Sequence, residues 1–144
     1  MIERVSFSSK EYAIIVRSDY SSQGISFFTE NEYSQQLAYM CHPTGHEIMP
    51  HRHNQFQREV YYTLEVLFIK KGKLRVDFFN EGDQYLDSRV LEAGDVILLV
   101  AGGHGFEVLE EVEMFEVKQG PYTGDADKSR FTSNLPPDVI GRLR

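Results

Sequence analysis

Residues 64–79, "LEVLFIKKGKLRVDFF", constrain the fold of this chain more than any other stretch. In the second half Leu74, Val76 and Phe78 fall on one face, while Lys73, Arg75 and Asp77 fall on the other. A period of two is that of a strand with one buried side. The Lys-Lys-Gly at 70–72 reads as a turn, so the stretch predicts a hairpin with arms at 64–69 and 73–79. Similar runs predict strands at 12–18, 24–29 and 36–42. The stretch 92–109 reads as a turn, a buried strand, a glycine-rich bend and another strand, and 111–118 as a further strand. "NEGD" at 80–83 is a turn signal. Helix signals are confined to one turn within 29–40 and a short helix in the tail from Pro136. Many short strands broken by Gly and Asp turns predict an all-β sandwich or barrel.

At 144 residues the chain predicts one domain, large enough to bury a real core. The formal charge of −7 disfavours nucleic acid and anionic membranes as partners, because both need a basic surface. It leaves room for an anionic small molecule in a locally basic pocket. The single cysteine, Cys41, excludes an internal disulfide framework and fits a reducing compartment. The start reads as having no signal peptide, and the longest apolar run, 96–101, is too short to span a membrane. The expected location is the cytoplasm.

The chemistry concentrates in the middle. His51 and His53 stand two apart, a spacing that puts both imidazoles on one face of an extended chain. Two neutral imidazoles suit Zn, Fe, Ni, Mn or Co. Spacing alone leaves a metal half-site and a solvated histidine loop equally open. Glu65 shares a face with Leu67 and Ile69, so its carboxylate needs a partner: a cation, or an arginine such as Arg58 or Arg75. His104 follows "VILLVAGG", a bend that can aim one side chain into a cavity. Taken together, the HxH pair, the in-facing Glu and His104 favour a metal site over four separate structural roles. His42 and His46 read as ordinary surface or strand-end residues.

These residues carry a family resemblance. "GHEIMPHRH … EVLFIKKG" resembles the first motif of the cupins, and "GDVILLVAGGHG" at 94–105 resembles the second. The ending "FEVKQGPYTGDADKSRF" at 115–131 is similar to that of small cupin-fold metalloproteins encoded among surface-polysaccharide (O-antigen or capsule) biosynthesis genes. The resemblance implies a cupin-type double-stranded β-helix, a jelly-roll barrel, with N-terminal strands at 1–35, the barrel core at 36–120 and a C-terminal extension at 121–144, all one domain. It implies a divalent transition metal held by His51, His53, Glu65 and His104. Three departures stand out. Eleven residues separate His53 from Glu65 where the general motif has far fewer, which makes Glu59 a rival to the favoured Glu65. The proline of the second motif is absent and His104 comes one residue early, a slip that the "AGG" at 101–103 can absorb. Val108 stands where an asparagine is expected.

Gln36, Tyr39, Arg58 and Lys118 are the ligand-pocket candidates, and Glu59, Tyr39 and Tyr122 the candidates for proton transfer, with no acid/base dyad among them. The expected function is a metal-dependent enzyme, isomerase-, epimerase- or dioxygenase-like, acting on a small polar metabolite such as a sugar phosphate or nucleotide sugar. A non-catalytic metal-containing binding or sensor protein is the alternative, and a metal-free barrel a third reading. The expected partner is a second copy, through sheet edges or exchanged terminal strands.

Overall fold

The computed structural model describes residues 1–133 and 135–142. The chain is mostly β: β1 (Ile2–Phe7), β2 (Lys10–Val16), β3 (Gly24–Phe27), β4 (Ala38–Cys41), β5 (Glu65–Phe79), β6 (Tyr85–Glu92), β7 (Val96–Leu99) and β8 (Gly103–Lys118). A 3-10 turn (Gly124–Asp127) and a short helix α1 (Pro137–Arg142) follow. The tail helix expected after Pro136 is present; residues 134, 143 and 144 of the expected extension lie outside the described residues. No helix among the described residues is long and apolar enough to cross a membrane.

Six strands form one antiparallel sheet in the order β1-β2-β7-β5-β6, with β8 on the other edge of β5, while β3 and β4 form a separate pair. β5 is the axis. Along one edge it pairs first with β7 (Glu65 opposite Leu99) and then with β6 (Phe79 opposite Tyr85). Hydrogen bonds from Gly94 N to Ile69 O and from Ile69 N to Asp95 O bridge the gap between the two. Along its other edge β5 pairs with β8 from Glu65–Lys118 to Phe79–Gly103.

The connection between β7 and β8 reveals the shape. Leu99 lies opposite the first residue of β5 and Gly103 opposite the last. Laid flat, a strand of that length spans roughly 45–50 Å. The step from residue 99 to 103 covers at most about 14 Å. β5 therefore curls, which brings its ends within roughly 25 Å of each other, and the sheet is an antiparallel half-barrel. Gly102 makes the bend between β7 and β8: its φ is +69°, and a side chain there would collide with the Tyr12 ring and the Phe79 carbonyl.

The hairpin expected at 64–79 is a single strand. Residues 70–72 form no turn. They are a bulge, where the β5–β8 register shifts on either side of Lys71 and Gly72 adopts φ +81° against the Glu111 backbone. A bulge bends a strand and adds twist, so these residues help to curl the one ladder into which both arms are built. The two strands expected within 103–118 are likewise one, β8. Residues 29–40 contain no helix, and of the strand expected at 36–42 only 38–41 is paired. β1 and β6 carry no clear sequence signal. β1 is an edge strand in which Val5 alone is buried, and the centre of β6, Asp87-Ser88-Arg89, is polar.

The concave face is packed with Ala13, Ile15, Leu67, Ile69, Leu74, Val76, Phe78, Leu91 and Ile97, all at or near complete burial. Apart from Ala13, each such side chain stabilises the fold by roughly 1.5–3 kcal/mol. The convex face over β2 and β7 carries Ile14, Val16 and Leu98, covered by Phe28 and Leu64, by Leu37 just before β4 and by Tyr39 within it. The GD turn before β7 is tied down by Asp95, whose carboxylate accepts from Ser18 N, Glu92 N and Arg17 Nη1 at 2.9–3.0 Å.

Candidate functional site

Glu65 is on the concave face with Leu67 and Ile69, as the alternation predicts, and is 7% exposed. Its partner is neither Arg58 nor Arg75. Glu65 Oε2 lies 3.1 Å from His104 Nε2, and Oε1 lies 4.0 Å from Lys118 Nζ. Arg75 is committed elsewhere, forked onto Asp77 and paired with Glu107.

The curl makes this meeting possible. Glu65 opens β5, whereas His104 opens β8 opposite Phe78 near the far end of β5, and Lys118 closes β8 opposite Glu65. One carboxylate thus gathers both ends of β8. His104 reaches the concave face because Gly102 and Gly103 turn the chain before the ladder resumes, so the early position of the histidine does not send it to the convex face. The hydrogen bond from His104 holds the Glu65 carboxyl below the usual glutamate range, against the opposing effect of burial, with Lys118 and Lys128 adding to the lowering.

His51 and His53 do not join this pair. Residues 42–64 carry neither strand nor helix. The two imidazoles face each other there, edge to face at 5.4 Å, and His51 Nδ1 lies 3.1 Å from the Met49 carbonyl. Among the described residues no three His, Cys, Asp or Glu side chains are grouped so as to hold a metal ion. Glu65 and His104 are chemically suitable donors, but the four-residue set is not gathered in this conformation. His42 and His46 stack on each other at 4.2 Å, apart from the HxH pair.

Two open clefts adjoin the half-barrel. The larger, about 680 Å³, is lined by Phe27, Tyr33, Gln36, Phe56, Arg58 and Glu59 among others. The smaller, about 210 Å³, is lined by Tyr61, Tyr62, Lys118, Tyr122, Asp127 and Lys128 among others. Val60 lines both. The expected pocket residues are therefore divided. Arg58 and Gln36 lie in the larger cleft, and Lys118 in the smaller, next to Glu65. The Gln36 amide is occupied: it accepts from Thr29 Oγ1 at 2.6 Å and donates to the Glu30 and Tyr33 carbonyls at 3.0 Å. Tyr39 packs edge to face on Tyr20 in the convex cluster. Of the expected proton-transfer residues, Glu59 accepts the Tyr61 hydroxyl at 2.8 Å, and Tyr122 is 88% exposed at the smaller cleft.

Searches against protein families, curated proteins and solved structures return no significant match for this chain. The reading of the site therefore rests on its own geometry. Sequence reasoning passed over Phe27, Phe56, Tyr61 and Lys128 as lining residues. The available signal was the aromatic density of "NQFQREVYYTL" between His53 and Glu65, an unusual content for a solvated loop.

Proposed function

We propose that this chain is a cupin-type, metal-binding protein that acts on a small polar metabolite, a sugar phosphate or nucleotide sugar of surface-polysaccharide synthesis, by an isomerase-, epimerase- or dioxygenase-like reaction. The observation that carries this reading is the Glu65–His104 pair, held at 3.1 Å on the concave face by the curl of β5. Glu65 and His104 are half of the ligand set implied by the sequence resemblance, and they arrive from opposite ends of one strand pair. The other half, His51 and His53, lies in a segment that carries no strand or helix. A bound divalent ion supplies polarisation of a ligand oxygen. The chain's own residues supply an ionised carboxylate at Glu65, a cation at Lys118 and open clefts for the metabolite.

The test is elemental analysis of protein purified without an affinity tag, compared with His104→Ala and His51→Ala. The expected result is one ion per chain in the wild type and loss in both variants. Equal metal in wild type and His104→Ala sinks the assignment. A non-catalytic binding protein is the second reading, favoured by the engagement of Lys118, the nearest cation to Glu65 in the smaller cleft, with Glu116 at 2.7 Å. Metal-loaded protein that binds sugar phosphates or nucleotide sugars and forms no product selects it.

A second copy of the chain is the proposed partner. Among the described residues β8 pairs with β5 alone, and its Phe115 and Val117 are 62% and 58% exposed. Sedimentation showing only monomer at micromolar concentration argues against this.

A further inference from the structure

In a chain with 22 acidic and 15 basic residues, a cation left without an anion is out of place. The strands follow that logic: Lys70, Lys71, Lys73 and Arg75 each meet a glutamate of β8 at 2.6–3.3 Å. Among the described residues Arg52, Arg58 and Lys128 have no carboxylate within 4.0 Å, and Lys128 acts on Glu65 from farther away. Arg58 and Lys128 line the two clefts.

The larger cleft has the more specific chemistry. The Arg58 guanidinium lies 5.3 Å over the Phe56 ring, and its one hydrogen bond, to the Phe56 carbonyl, is 3.5 Å long. The aromatic contact orients the guanidinium and leaves most of its donor fork open. Phe56 and Phe27 line the same cleft and are 72% and 62% exposed. Asn31 and Gln57 also line it, and among the described residues their side-chain amides make no hydrogen bond, in contrast to Gln36. Glu32 and Glu59 line the cleft too, and Arg58 is the one Lys or Arg among its lining residues, so the open guanidinium suits a single phosphate group. Exposed phenyl faces suit a flat unsaturated ring. Free amides suit a ring whose edge both donates and accepts. A volume of about 680 Å³ is that of a site for a nucleotide-sized molecule.

We propose that this cleft binds a nucleoside phosphate, the base against Phe27 and Phe56, the base edge on Asn31 and Gln57, and the phosphate on Arg58. This rests on the small-metabolite reading above and selects the nucleotide-bearing class within it. Val60 is shared by both clefts, so a group attached to the phosphate extends towards Lys128 and Lys118, beside Glu65.

Calorimetric titration of the full chain tests the assignment with four probes: a nucleoside, its 5′-monophosphate, the corresponding nucleoside diphosphate sugar, and a sugar 1-phosphate without a base. The monophosphate is expected to bind at least about tenfold more tightly than the nucleoside or the sugar phosphate. Arg58→Ala is expected to abolish that preference over the nucleoside, and Phe56→Ala to weaken nucleoside and monophosphate alike. Both positions are exposed, and unchanged circular dichroism confirms folding. A sugar phosphate that binds as well as the monophosphate overturns the proposal, as do variants that bind like the wild type or the absence of nucleotide binding at millimolar concentration. Tighter binding of the diphosphate sugar than of the monophosphate supports the extension to the smaller cleft; equal affinity overturns it. Wild type treated with a chelator is expected to bind the monophosphate with unchanged affinity, so failure of the metal assignment is read separately.

Discussion

β5 is hydrogen-bonded along both edges, to β7 and β6 on one side and β8 on the other, whereas residues 42–64 immediately before it enter no strand or helix. The inward side chains of β5, including Leu67, Ile69, Leu74 and Val76, are essentially inaccessible; in the preceding segment Met49, Tyr61 and Tyr62 are more than 80% exposed. Both stretches contain several large apolar residues, although they are denser in β5. The other difference is period. β5 alternates on either side of its bulge, which lets one face be buried and the backbone be paired at the same time. Between His53 and Glu65 the aromatics fall at 56, 61 and 62, a spacing that fits neither a strand nor a helix face.

The sharpest way to break the comparison is to remove one apolar side chain from each stretch. Leu74→Ala is expected to cost about 2–5 kcal/mol in urea unfolding, and Met49→Ala no more than about 0.5 kcal/mol. Comparable losses would mean that 42–64 is packed and the contrast false. A finer probe uses two glycines with the same backbone sign. Gly72 at φ +81° and Gly45 at φ +84° both resist a side chain, but a Cβ at Gly72 meets the Glu111 backbone and one at Gly45 meets open space. Gly45→Ala is expected to cost about 1 kcal/mol, and Gly72→Ala at least about twice that. If the two cost the same, the bulge is not seated against β8.

The smallest effect is in acid. The folded-state pKa of Glu65 is depressed, so its contribution to stability is complete above the ordinary glutamate value of about 4.3 and is lost as pH falls through the lower folded value. Wild type is expected to exceed Glu65→Gln in stability at pH 7, the margin shrinking below pH 4. Gln55→Ala, an exposed and non-titrating position of the unpaired segment, should show no such pH-dependent margin. A margin that persists unchanged at pH 3 would show that Glu65 acts through packing and not through its charge.

Particular residues show what the sequence made legible. The inward face of Glu65 followed from its alternation with Leu67 and Ile69, and its need for a partner followed from burial. The partner itself was not legible, because a contact between residues 39 positions apart depends on the curl of β5. Lys-Lys-Gly at 70–72 has the composition of a hairpin turn, and only strands elsewhere in the chain decide that it is a bulge. β6 escaped notice for a related reason. Its polar Ser88 is turned onto buried Asp77 at 2.5 Å, a use for a hydroxyl that local pattern does not announce. His51 and His53 are read from the sequence as a pair, and their rings do meet in the structure, apart from Glu65 and His104.

Glu65 and His104 touch only when the β5–β8 ladder is in register from one end to the other. A molecule that bridges them has no counterpart site in the unfolded chain, so its binding free energy adds directly to that of folding. At one hundred times its dissociation constant such a ligand contributes about 2.7 kcal/mol, a substantial share of what holds a domain of this size together. It would act as a clasp on the half-barrel, and the resistance of the protein to heat would report how full the site is.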